Sequence, residues 1–143
     1  MERIERIIPP NIPKAIGPYF PVTGFGDLLF ISGQIPIVPE TGNIERSDIE
    51  GQTEQVMKNL KNAVEGSDSS MSNIAKCTIL LTDLNNFAKV NEIYGTYFEN
   101  GKYPARACYS VVGLPKGSLI EIEAIAIRNS VGDTLKKKIK SEW

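Results

Sequence analysis

Histidine is absent from this chain of 143 residues. Its absence excludes Ser/His and Cys/His triads, zinc sites built on imidazole, and nucleases that use a histidine pair. Any general acid or base must be Glu, Asp, Tyr, Cys or Lys. Cysteine is scarce: Cys77 and Cys108 stand far apart without a neighbouring Cys, so the sequence shows neither a redox pair nor a metal site. Both are expected to be reduced, with Cys77 packed in the core. No apolar run approaches the ~20 residues that span a bilayer. Excess charge is missing too, since 16 basic against 17 acidic residues leave a net charge of -1, without the overall positive field that gathers nucleic acid or anionic membrane. The opening Met1 to Arg6 mixes both signs ahead of Pro9 and Pro10, unlike a secretory or transit peptide. These exclusions describe a cytoplasmic protein with no membrane partner and no favoured nucleic-acid partner; an organellar address stays open.

What is present is enough apolar material, 41% of residues, for one proper core. The expectation is a single domain over residues 1–128, followed by a polar, basic extension over residues 129–143. Lys136, Lys137, Lys138 and Lys140 in that extension read as a solvated tail rather than a phosphate site. Residues 3–8 alternate as a short strand that Pro9, Pro10 and Pro13 end. Residues 20–23 and 28–31 flank a Gly24-Phe25-Gly26-Asp27 turn as a hairpin, and residues 35–38 are extended before the turn chemistry of Pro39 to Asn43. Val56, Leu60, Ala63 and Val64 share one side of an amphipathic helix over residues 49–65, which Gly66 stops. Residues 74–81 form a buried strand. Thr82 or Asp83 caps a second helix that carries Phe87, Val90, Tyr94 and Tyr97 and runs toward Asn100-Gly101. Strands over residues 106–112 and 119–128 complete an α+β domain of about six strands, with two helices on one face. Such a design leaves the other face of the sheet bare, and a second copy of the chain is its natural cover.

The last strand carries the most chemical information. Alternation puts Ile120, Ile122, Ala124 and Ala126 on one face, and Glu121, Glu123, Ile125 and Ile127 on the other. Two readings stand: the glutamates border a partly buried cleft or subunit interface, or they lie on a solvated rim. Arg106, after Pro104 at the start of the preceding strand, shares a face with Cys108, Ser110 and Val112. Its guanidinium suits a bidentate grip on a carboxylate, and it equally suits a structural ion pair with Glu121 or Glu123 if the two strands are antiparallel neighbours. Tyr19 offers a phenol from a Gly-Pro loop or simply packs, and Ser32-Gly33 presents a hydroxyl and amides or only ends a strand. Asn91, Tyr94 and Tyr97 read mainly as core-packing helix residues. Neither a phosphate loop nor a metal-ligand cluster is legible, and no cofactor is implied.

Six segments in order, Ala15-Ile16-Gly17-Pro18-Tyr19, Ile31-Ser32-Gly33-Gln34-Ile35-Pro36, Thr82-Asp83-Leu84-Asn85-Asn86-Phe87, Val90-Asn91-Glu92-Ile93-Tyr94, Pro104-Ala105-Arg106-Ala107-Cys108 and Ile120-Glu121-Ile122-Glu123-Ala124, resemble the Rid/YjgF family of reactive intermediate deaminases. The resemblance spans roughly residues 3–128 and points to the imine/enamine deaminase branch. It implies a chorismate mutase-like fold assembled as a homotrimer, with clefts between subunits, and hydrolysis of 2-iminopropanoate or 2-iminobutanoate to the 2-keto acid and ammonia. In that branch the residue matching Arg106 holds the substrate carboxylate and the one matching Glu121 orients or activates water. Positions matching Tyr19, Ser32, Gly33, Asn91 and Cys108 bind substrate or line the cleft. Ala107 departs from the Ser or Thr common after the family arginine. Two rivals remain on the same fold: an RNA-cleaving translation inhibitor, which lacks support from charge or histidine here, and a non-catalytic chaperone-like or ligand-sensing trimer, against which the Arg106 and Glu121 pairing argues.

Overall fold

The computed structural model describes residues 3–130 and residue 139; most of the basic extension, with its lysines and Trp143, lies outside the described residues. The strands are β1 (Glu5–Ile7), β2 (Val22–Phe25), β3 (Leu28–Gln34), β4 (Ile37–Val38), β5 (Asn43–Ile44), β6 (Ile74–Leu81), β7 (Ala105–Ser110) and β8 (Ile120–Ile127), and the helices are α1 (Ile49–Glu65) and α2 (Phe87–Gly95). Six strands form one mixed sheet in the order β1-β2-β3-β8-β6-β7, while β4 and β5 pair separately. Only β6 and β7 run parallel; the other neighbours in the large sheet are antiparallel. The expected α+β class, six-stranded sheet and two helices are all present.

Burial explains why both helices share one face. Val56, Leu60, Ala63 and Val64 of α1 are fully buried and meet Leu29, Cys77, Ile79, Ile120 and Ile122 from the sheet. Each large aliphatic side chain removed from water in this way contributes about 1.5–3 kcal/mol. Asp48 caps α1 by accepting the Gly51 amide at 3.1 Å. Gly66 ends α1 with φ of -74°, so left-handed backbone is not its purpose there. A Cβ at Gly66 would lie 2.8 Å from Cβ of Pro9, and the glycine serves close approach to the proline pair. Asp83 rather than Thr82 supplies the cap before α2, accepting the Asn85 amide at 2.9 Å. The second helix is shorter than its apolar spacing suggests, ending at Gly95, so Tyr97 sits beyond it and donates to Oε2 of Glu54 at 2.7 Å.

Two polar clasps hold the irregular parts. Buried Asn59 donates to the carbonyls of Ile35 and Ile37 at 3.2 and 2.9 Å, tying the segment before β4 to α1. Arg128 pairs with Glu5 and donates to the Gly26 carbonyl at 2.9 Å, across space that a side chain at Gly24 would occupy.

The sheet order settles a point that residue order leaves open. β7 and β8 are not neighbours, because β6 lies between them. Nor is the second face of β8 covered among the described residues. Phe25, Leu28, Phe30 and Ile127 are exposed there, beside half-buried Ile125.

Replacing Asn59 by alanine leaves two interior carbonyls short of a donor and is expected to lower stability by about 2 kcal/mol. Urea unfolding checks this: the midpoint should fall with the slope unchanged, and an unaltered midpoint would show that the Asn59 clasp contributes nothing.

Candidate functional site

The register of the sheet determines where each candidate side chain goes. Arg106 lies opposite Cys77, which lies opposite Ala124, and both of these are buried on the helix side. Glu121 lies opposite Leu80, which lies opposite Tyr109, one pleat out of phase and therefore on the open side. Arg106 and Glu121 thus occupy opposite faces of the sheet. Among the described residues no carboxylate lies within ion-pair distance of Arg106, so the structural ion pair with Glu121 or Glu123 is not formed.

On the open face, a cleft of about 350 Å³ is bordered by Ile16, Tyr19, Ser32, Gly33, Ile35, Pro115, Glu121 and Glu123. Its floor is a local irregularity in the β3–β8 pairing. Ile31 pairs with Ala124 but Gln34 with Ile122, so Ser32 and Gly33 together oppose Glu123. The bulge turns the backbone toward Glu121, whose carboxylate fills the space a Cβ on Gly33 would need. Ser32 donates its hydroxyl to the Phe20 carbonyl at 2.7 Å, which pins the loop to the strand and leaves the Ser32 oxygen as an acceptor. The Tyr19 oxygen receives the Ile16 amide at 3.3 Å, so the phenolic proton remains available to a ligand.

Glu121 is half-buried and makes no hydrogen bond among the described residues. Burial, reinforced by the charge of Glu123, raises its carboxyl above the usual carboxylate range. Glu123 itself is exposed. Both glutamates therefore border the cleft, with Glu121 partly enclosed and Glu123 at its solvated edge.

The second cleft, about 320 Å³, lies around Arg106 with Asn91, Tyr94, Gly95, Tyr103 and Pro104. Asn91 accepts from Nη1 of Arg106 at 2.6 Å, a role sequence reasoning did not separate from core packing. The Arg106 guanidinium carbon lies 5.4 Å from the centre of the Phe87 ring and 5.2 Å from that of Tyr94. The signal was present in the helical spacing of Phe87, Asn91 and Tyr94, but that spacing equally marks a core face. Cys108 lies on the same side, half-buried against the core. Burial pushes its thiol up despite the Arg106 charge, which suits a wall rather than a nucleophile. Beneath Arg106, burial pushes the Cys77 thiol to about 11. Burial, reinforced by the neighbouring Cys77 thiol, likewise pushes the Tyr94 hydroxyl up, and among the described residues that hydroxyl has no hydrogen-bond partner.

The comparisons with known proteins agree with this architecture. The sequence pattern of the family described as Endoribonuclease L-PSP matches residues 10–128. A RutC family protein of Pyrococcus horikoshii is 49% identical over 124 residues, covering 87% of this chain and 98% of its own. A mouse protein named 2-iminobutanoate/2-iminopropanoate deaminase is 42% identical over 116 residues, covering 81% of this chain and 85% of its own. The solved structure of Escherichia coli TdcF with bound serine superposes with a TM-score of 0.80 at 41% identity, covering 87% of this chain and 100% of that one. A mixed α+β sheet carrying two helices matches the Rid class of structures. The chain belongs to the Endoribonuclease L-PSP family, the Rid/YjgF family of the resemblance. Among the described residues, no helix is long and apolar enough to cross a membrane.

With its thiol pushed to about 11, Cys77 is expected to be ionised to only about 0.1% at pH 8 and to resist iodoacetamide in the folded protein. Mass spectrometry should find Cys77 modified only after unfolding in urea; rapid native alkylation would contradict the burial assigned to it.

Proposed function

We infer that this chain is a hydrolytic deaminase that converts reactive 2-imino acids, of the 2-iminopropanoate and 2-iminobutanoate class, to 2-keto acids and ammonia. The observation that carries the reading is the division of labour across the sheet: an arginine with no carboxylate partner on one face, and on the other a half-buried carboxyl raised by its surroundings. The name of the mouse relative supports the same chemistry.

Neither cleft suffices alone. An assembly that covers the exposed Phe25, Leu28, Phe30 and Ile127 also has the means to bring the Arg106 face of one subunit to the Glu121 face of the next. A closed ring of three copies, with three such clefts, is the proposed form. Arg106 then grips the substrate carboxylate with N–H groups not used by Asn91. The C=N carbon, electrophilic when the nitrogen is protonated, faces water held by Glu121 beside Ser32 and Gly33. Glu121 takes a proton as the water oxygen bonds to carbon. It returns that proton to nitrogen; as the C–N bond breaks and ammonia leaves, the Glu121 carboxylate takes the adduct's hydroxyl proton, so that the carbonyl of the 2-keto acid remains, and then releases that proton to ammonia or solvent. A carboxyl raised by burial and by the Glu123 charge is a stronger base than an ordinary carboxylate, which suits it to take the proton from water. Tyr19 lines the cleft with a free phenolic proton, and Cys108 shapes the wall behind Arg106. No metal or organic cofactor enters these steps. In cellular terms the reaction removes reactive by-products of amino-acid metabolism. Adjacent Glu121 and Glu123 oppose a phosphate backbone, so the ribonuclease reading gains no specific observation.

The test generates 2-iminobutanoate in situ with an amino-acid oxidase and follows its decay. Arg106→Ala is expected to lower kcat/KM by about 100-fold, and Glu121→Gln to lower kcat by about 10²–10⁴-fold. Because the ionised carboxylate is the base, the wild-type rate should fall on acidification through a range above the ordinary carboxylate value, and Glu121→Gln should lose that acidic limb. Wild-type decay no faster than buffer would sink the proposed activity for this substrate.

A further inference from the structure

We propose that Phe87 and Tyr94 are positioning residues for Arg106: with Asn91 they form a cradle on one face of α2 that aims the guanidinium at a carboxylate. The proposal rests on the imino-acid reading above and goes on to say which residues make that arginine selective. Phe87, Asn91 and Tyr94 stand at helical steps of four and three, which places all three on the same side of α2. Arg106 belongs to an edge strand and is exposed, where an arginine side chain ordinarily samples many rotamers.

Here three contacts oppose that freedom. The two ring centres lie 5.4 and 5.2 Å from the guanidinium carbon, inside cation–π range. The Asn91 oxygen takes one N–H at 2.6 Å. Arg106 makes no other hydrogen bond among the described residues, so the remaining N–H groups form a free edge for two parallel bonds to a carboxylate. Tyr94 is itself immobilised, 4% exposed and with its ring centre 4.9 Å from that of Phe98. Phe87 is 38% exposed, so core packing accounts for only part of its presence at the start of α2. A planar cation between these groups has a fixed orientation, whereas a lysine at position 106 would keep the charge and lose the direction.

Phe87→Leu removes the ring while keeping an apolar side chain and the helix, and Phe87→Tyr restores a ring. Calorimetry with 2-oxobutanoate and with 2-oxobutanamide reads carboxylate binding separately from contact with the rest of the ligand. Phe87→Leu is expected to weaken 2-oxobutanoate about five-fold, leave the amide unchanged, and raise KM for 2-iminobutanoate by a similar factor with kcat within about two-fold. Phe87→Tyr should recover both binding and KM. The Nε–H resonance of Arg106 in ¹⁵N-arginine-labelled protein should also lose part of its ring-current shift in Phe87→Leu, a readout that a loss of general stability would not mimic. Equal binding of 2-oxobutanoate by wild type and Phe87→Leu would overturn the cradle, as would wild type that fails to bind it or a leucine variant that loses kcat alone. Failure of imine hydrolysis in wild type would remove the parent reading by its own assay, while 2-oxobutanoate binding would still decide the cradle.

Discussion

Strand β6 separates Arg106 from Glu121, and the two halves of the site depend on that separation. Cys77 sits between Arg106 and Ala124, while Leu80 sits between Tyr109 and Glu121, and the pleat sends these two rows to opposite faces. A one-residue slip between β6 and β8 would turn over the whole row of side chains on the shifted strand and move Ile79 or Ile122 out of the core. The burial of those residues against α1 therefore holds the arginine and the carboxyl apart within a subunit. A chemistry that needs both has to be completed by a second copy, and the apolar open face supplies a physical reason for that copy to be there.

Two local departures from regularity then make each half of the site. The Ser32-Gly33 bulge turns backbone toward Glu121, and the missing Gly33 side chain admits the carboxylate whose protonation that enclosure favours. On the other face, α2 begins at Phe87, whose ring stands over Arg106 instead of deep in the core. Neither feature belongs to the main hydrophobic packing. Both are fixed by it, since Ile31 and Gln34 on either side of the bulge are buried, as are Val90 and Tyr94 of α2.

Much of this fold is legible in residue order because its core follows simple periods. Alternating Ile120, Ile122, Ala124 and Ala126 and helical Val56, Leu60, Ala63 and Val64 are buried as those patterns require, and residues 49–65 and 74–81 begin and end where expected. Strand partners are different. Nothing in residues 105–127 says that the connection through Pro115 crosses over β6, so residue order leaves open whether β7 and β8 are neighbours, and long-range pairing decides that they are not. The same limit applies to the site. Arg106 and Glu121 stand out by residue type, whereas the ring contacts of Phe87 and Tyr94 are hidden in a spacing shared by any packed helix. Gly33 was visible as a strand-end glycine, but only the bulge shows whose carboxylate it accommodates.

The central claim is that a working cleft joins Arg106 of one subunit to Glu121 of another, and subunit mixing tests it most directly. Arg106→Ala and Glu121→Gln proteins, each inactive alone, are unfolded together in equal amounts, refolded and assayed for 2-iminobutanoate decay. If clefts form between subunits, about one cleft in four receives both intact residues, and about a quarter of wild-type activity should return. Mixed protein that assembles as wild type does yet remains as inactive as either variant alone would contradict the account.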